Sequence, residues 1–120
     1  MQRIILVLAG LMGAAGVALA AAGAHVASGA GFESASAMLL FHACAAIVAV
    51  LALRGALLWP PLGVAAAVGF VLGATLFAGD LSLRAFAGVR LFAMAAPSGG
   101  IILIASWIAF AVAALFRRAQ

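Results

Sequence analysis

The chain reads as an all-α membrane protein, a four-transmembrane-helix antiparallel bundle, and three observations predict it. Its 120 residues are 70% hydrophobic and only 7% charged, with a mean hydropathy of +1.42, whereas soluble globular domains carry about a quarter charged residues. Six arginines and two acids cannot supply the polar surface that a water-soluble core of this size needs. The charges also divide the chain into uncharged stretches at 4–32, 34–53, 55–79 and 91–116. Each can hold the roughly 20 apolar residues that cross a ~30 Å hydrocarbon core. Nothing resembles a polar linker to a second core, so residues 1–120 are read as one integral membrane domain with spans at about 4–25, 35–53, 61–80 and 97–116.

The net charge of +4 comes entirely from arginine. The sequence pI of 11.7 would point to nucleic acid in a soluble protein, but arginines set at the edges of oily segments form no basic stripe. Nucleic acid is therefore not an expected partner; the lipid bilayer is. Cys44 is the single cysteine, which excludes an intrachain disulfide and a cysteine metal cage, and its apolar surroundings predict a buried thiol.

Helix one, IILVLAGLMGAAGVALAAAGAH, carries Ala9, Gly13, Gly16, Ala20 and Gly23 at three- and four-residue spacing, a smooth face on which another helix can pack closely. Arg3, the apolar run and Ala18-Leu19-Ala20 also resemble a signal peptide, but the run is long and flows into a second span, so it is expected to be retained. The first loop, 26–34, is short, which makes helices one and two antiparallel neighbours. Helix two, SASAMLLFHACAAIVAVLAL, places His42 two turns inside its start and on the side of the membrane that holds His25. Arg54 closes it. In the turn LRGALLWPP, Trp59 suits an interfacial anchor and Pro60-Pro61 can open a helix, where a missing N–H costs nothing.

Helix three contains Gly69-x-x-x-Gly73, a second close-packing signal. Asp80 and Arg84 are four apart, so on a continuing helix they share a face and can pair. Beyond them Leu81, Leu83, Phe86, Leu91 and Phe92, mixed with Arg84 and Arg90, suggest a segment near the membrane interface. The run Pro97-Ser98-Gly99-Gly100 starts helix four, Trp107 lies within it in a core or lipid-facing role, and Arg117-Arg118 ends it. With four spans both termini share a side, which holds Arg3, Arg54, Arg117 and Arg118 against Arg84 and Arg90 opposite. The arginine bias places the termini inside.

Four ordered motifs, GAH at 23–25, FHA at 41–43, GATLFAGDL at 73–81 and PSGGIILIASW at 97–107, resemble a small uncharacterised membrane family, domain of unknown function 423. It includes the YgdD-like bacterial inner-membrane proteins and the transmembrane-protein-256 group of animal mitochondria. That resemblance implies a four-helix inner-membrane protein with no established activity. The chain departs from the family pattern at Val26, in place of a glycine, at Phe41, in place of a tyrosine, and at Asp80 and Arg84, where the family has serine and an apolar residue.

His25, Glu33, His42, Asp80, Arg84 and Ser98 all fall on the outward side of this topology, with Arg90. Polar groups in or near lipid are costly unless they pair, so they are expected to cluster. A structural reading has the histidines bonded to loop carbonyls or each other, Asp80 paired with Arg84, and Ser98 capping helix four. Metal or haem ligation by His25 and His42 is the sharper alternative, but His42 should lie about 9 Å deeper than His25, and no dense ligand motif accompanies the pair. A proton or solute path lacks stepping stones in the inner half. A Ser98–His42–Asp80 triad lacks a nucleophile-elbow sequence, so neither catalysis nor a cofactor is expected. The small-residue faces, with Gly13, Gly16, Gly69 and Gly73, favour an accessory or assembly protein that packs against other membrane proteins or a second copy of itself. The runner-up is ligand, metal or solute binding or transport through the outward polar cluster.

Overall fold

The structure, a computed structural model, describes residues 1–25 and 30–117. Residues 26–29 of the loop expected at 26–34, Val26 among them, and Arg118 lie outside these residues. Among the described residues there are four helices, α1 (Gln2–His25), α2 (Ala30–Arg54), α3 (Pro60–Ala87) and α4 (Ala95–Leu115), and no strand. Each is long and apolar enough to cross a membrane.

Three helices differ in extent from the sequence expectation. Helix α2 begins at Ala30 rather than near residue 35, because Phe32 is buried against Gly23 of α1 and meets Phe86 of α3 edge-on at 4.9 Å. Glu33 then falls in the first turn, where a negative charge suits the helix dipole. Helix α3 runs past Asp80 to Ala87 and stops at Gly88, whose φ of 69° is the left-handed cap that glycine adopts without strain. Helix α4 begins at Ala95, two residues before Pro97. Proline is tolerated there because first-turn amides have no partner within the helix.

Cross-helix contacts establish the antiparallel order. Ser36 Oγ donates to Gly16 O at 2.8 Å between α1 and α2, and Gly63 and Gly31 of α3 and α2 face Leu53 and Leu81 respectively. At the other pair, Trp59 N donates to Ala113 O at 2.8 Å, tying the start of α3 to the end of α4. The α2–α3 turn ends α2 with bonds from Ala56 N to Leu53 O and from Leu57 N to Ala52 O, Ala56 taking the positive φ of 57°.

Helix α3 packs along both α2 and α4, while α1 packs on α2 and only lightly on α3. The resulting body, 52 × 26 × 20 Å, is long enough to span a bilayer and about two helices thick. Its core is Phe70 and Val50 set among fully buried alanines such as Ala46, Ala49, Ala66 and Ala74. Lipid is as apolar as leucine, so stability here comes from close helix packing rather than from escape from water.

Glycine provides that closeness between α3 and α4. A Cβ on Gly73 would sit 2.8 Å from Leu103 Cγ and 2.9 Å from Gly99 O; one on Gly99 would sit 2.7 Å from Gly73 O. On Gly69 it would collide with Ser106 Oγ, and on Gly16 it would reach Leu40 Cγ at 2.8 Å. Gly13 departs from the expected packing face: nothing lies within 4 Å of a Cβ there, because α1 turns Ile5, Ala9, Met12 and Gly16 toward the core instead. Cys44 is exposed rather than buried. It lies on the outer stripe of α2 with Phe41, Val48 and Leu51.

Candidate functional site

Of the six polar residues expected in one cluster, His42 stands apart at the middle of α2, and the others lie toward one end of the bundle. His42 stands twelve residues from each end of α2, about 18 Å from either terminus at 1.5 Å per residue. The early start of α2 produces this depth and removes His42 from the outward cluster. A metal shared by His25, in the last turn of α1, and His42 would have to bridge that depth.

The His42 ring is buried and both its nitrogens are engaged. Nδ1 lies 2.8 Å from Met38 O, and Trp107 Nε1 donates to Nε2 at 3.1 Å. An indole N–H can only donate and a carbonyl can only accept, so the ring carries its proton on Nδ1 and its lone pair on Nε2. Phe70 packs against both partners, with ring centroids 5.8 Å from His42 and 4.6 Å from Trp107. Three helices thus contribute to one aromatic and hydrogen-bonded unit, with no coordinating lone pair to spare on the imidazole.

Trp107 was read from sequence only as a core or lipid-facing side chain. The signal for its role was present nonetheless: an indole N–H inside a membrane helix needs an acceptor, and His42 is one of few side chains that can provide it.

Asp80 anchors the second group. Its side chain is fully buried, and Arg84 Nη2 donates to Oδ2 at 2.7 Å while Leu91 N donates to Oδ1 at 2.9 Å. The i, i+4 pair and the bond across loop three, residues 88–94, hold the loop against the end of α3. Arg84 remains 40% exposed. His25 and Glu33 are exposed near the same end.

Ser98 does not cap α4. The cap position is Met94, in the left-handed region at φ 67° and without a side-chain bond, and Ser98 N already donates to Met94 O at 2.9 Å. Its place in the first turns follows from the helix starting upstream of Pro97. No group of three or more histidine, cysteine or acidic side chains suited to a metal forms among the described residues.

One open groove of about 600 Å³ runs between α1 and α3, with Leu39 of α2 at its floor. Ala15, Ala18 and Ala22 line one wall and Val71, Ala78 and Gly79 the other; Thr75 and Ser82 are its polar side chains. Thr75 Oγ1 is turned back to Val71 O at 2.7 Å. Neither His42 nor Asp80 lines it.

Four apolar helices around an internally satisfied polar pair define a multi-pass membrane protein. The chain belongs to the family described as "Protein of unknown function (DUF423)", whose model matches residues 19–100. The matched stretch runs from the end of α1 into the start of α4, so it holds His42 and Asp80 but not Trp107. No curated protein and no solved structure matches the chain.

Proposed function

We propose that this protein is a non-catalytic accessory or assembly subunit of the bacterial inner membrane, and that the outer face of α1 is the surface it offers to another membrane-spanning helix. The observation that carries this reading is the composition of that face. Gly10, Ala14, Val17, Ala21 and Ala24 recur at three- and four-residue spacing and are all exposed, and nothing approaches within 4 Å of a Cβ on Gly10 or Gly13. Small residues let helix backbones approach and gain dispersion and Cα–H contacts, which a fluid acyl chain does not reproduce.

The placement of arginine supports termini on the cytoplasmic side: Arg3, Arg54 and Arg117 share one end, and Arg84 and Arg90 the other. Ligand or solute passage through the polar residues draws less support, since the groove between α1 and α3 is apolar and neither Asp80 nor His42 opens into it.

Cysteine scanning tests the reading. In a Cys44→Ser background, single cysteines at Gly10, Ala14 and Val17 labelled with benzophenone-4-maleimide are expected to give a discrete photo-adduct in native membranes, while one at Ile108 of α4 does not. An adduct of twice the chain mass identifies a second copy as the partner, and another mass identifies a different protein. Absence of any discrete adduct along the face rejects the assembly role.

A further inference from the structure

Loop three and the end of α3 carry a feature independent of the α1 face. Helix α3 has 28 residues, about 42 Å at 1.5 Å per residue, which exceeds a ~30 Å hydrocarbon core by about 12 Å. If Pro60 marks one interface, the surplus corresponds to the turns from Asp80 to Ala87, which then stand among lipid headgroups. Two arginines are presented there. Arg84 is oriented from behind by the buried Asp80 carboxylate, which takes a single guanidinium nitrogen, Nη2. Arg90 precedes Leu91, whose amide is bound by the other oxygen of the same carboxylate. One buried group therefore fixes the Arg84 side chain and the backbone next to Arg90.

Exposed apolar side chains are the near neighbours of both arginines in the chain. Phe86 is 62% exposed, Phe92 50% and Met94 62%, a density of uncovered aromatic and aliphatic surface that suits the boundary between headgroups and acyl chains. Among the described residues Asp80–Arg84 is the one ion pair. Guanidinium groups with spare donors match phosphate oxygens in charge and in fork geometry.

We propose that Arg84 and Arg90, framed by Phe86, Phe92 and Met94, form a binding site for the phosphate of an anionic glycerophospholipid in the leaflet on the His25 and Pro97 side. The occupant is a lipid rather than free phosphate because the apolar side chains around the arginines require acyl chains to cover them. The site adds a lipid contact at the opposite end of the molecule from Arg3 and Arg54.

Native mass spectrometry of the detergent-purified full chain, titrated with dioleoylphosphatidylglycerol or dioleoylphosphatidylcholine, tests it. The phosphatidylglycerol adduct is expected to persist at about tenfold lower lipid concentration, a difference of ~1.4 kcal/mol. Arg90→Gln should abolish that preference, and Arg3→Gln at the other end should leave it intact. Arg90→Gln is the primary variant because it leaves the Asp80–Arg84 pair whole; helical circular dichroism and gel filtration confirm its fold. Equal binding of the two lipids, or a preference unchanged in Arg90→Gln, overturns the proposal. So does displacement of the lipid by equimolar inorganic phosphate, which would make the site one for free anions.

Discussion

Trp107 Nε1 donates to His42 Nε2 at 3.1 Å, joining α4 to α2 beside Phe70 of α3. Replacing Trp107 by phenylalanine keeps an aromatic ring against Phe70 but leaves the imidazole lone pair without a donor. Hydrogen bonds between membrane helices contribute on the order of 1 kcal/mol. A double-mutant cycle of Trp107→Phe and His42→Leu, followed by helical circular dichroism during denaturation in mixed micelles, should return a coupling energy of about that size. Coupling indistinguishable from zero would show that the two rings merely touch.

The glycines predict a graded series. Alanine at Gly99 meets backbone on two sides, Gly73 O at 2.7 Å and Phe77 N at 2.8 Å, and neither can rotate away. At Gly69 the obstacle is the Ser106 hydroxyl, which can turn once it gives up its 2.7 Å bond to Ile102 O. Gly99→Ala should therefore lower the melting temperature most, Gly69→Ala less, and Gly13→Ala scarcely at all, since nothing lies near that position. Adding Ser106→Ala should restore much of the loss in Gly69→Ala. If Gly13→Ala proved as damaging as Gly99→Ala, α1 would have to pack differently.

Arginines and acids delimit the oily stretches, so the four spans were legible in the sequence. Helix ends were less so. Glycine and serine around residues 28–36 suggest a loop, yet Phe32 finds Gly23 and Phe86 and draws helix α2 back to Ala30. That five-residue extension leaves His42 at the middle of α2 and breaks the single cluster that the polar residues suggest. The spacing of small residues marks a smooth face without saying what lies opposite: Gly73 meets Leu103, whereas Gly13 meets nothing. Gly99, read only as part of a loose helix start, is the tightest backbone approach to α3. The His42–Trp107 bond joins residues 65 apart, and no local pattern encodes such a pairing.

Two serines in similar apolar surroundings should behave differently. Ser36 Oγ donates to Gly16 O on the neighbouring helix, whereas Ser106 Oγ bonds back to Ile102 O of its own turn. Ser36→Ala removes an interhelical bond and should cost about 1 kcal/mol; Ser106→Ala removes a local back-bond that adds little to a helix and should be near neutral. Parallel denaturation curves in the same micelles make the comparison, and an equal effect from the two substitutions would contradict the assignment.

Asp80 sets the conformation of loop three, because its buried carboxylate holds Leu91 N at 2.9 Å as well as Arg84. Asn in its place retains one oxygen, but the amide nitrogen turns a donor toward either the Leu91 amide or the Arg84 guanidinium, both of which are donors themselves. One of the two bonds must be lost, and the ion pair is lost in either case. The loop contains Arg90 and Phe92, cleavage sites for trypsin and chymotrypsin, and a protease needs several residues of freed backbone around the bond it cuts. Asp80→Asn should therefore raise the rate of cleavage at both positions severalfold in micelles. Cleavage at Arg54 in the α2–α3 turn, which Asp80 does not touch, should stay unchanged. A uniform rise at all three sites would indicate general unfolding, and no rise at Arg90 or Phe92 would mean that the carboxylate does not restrain the loop.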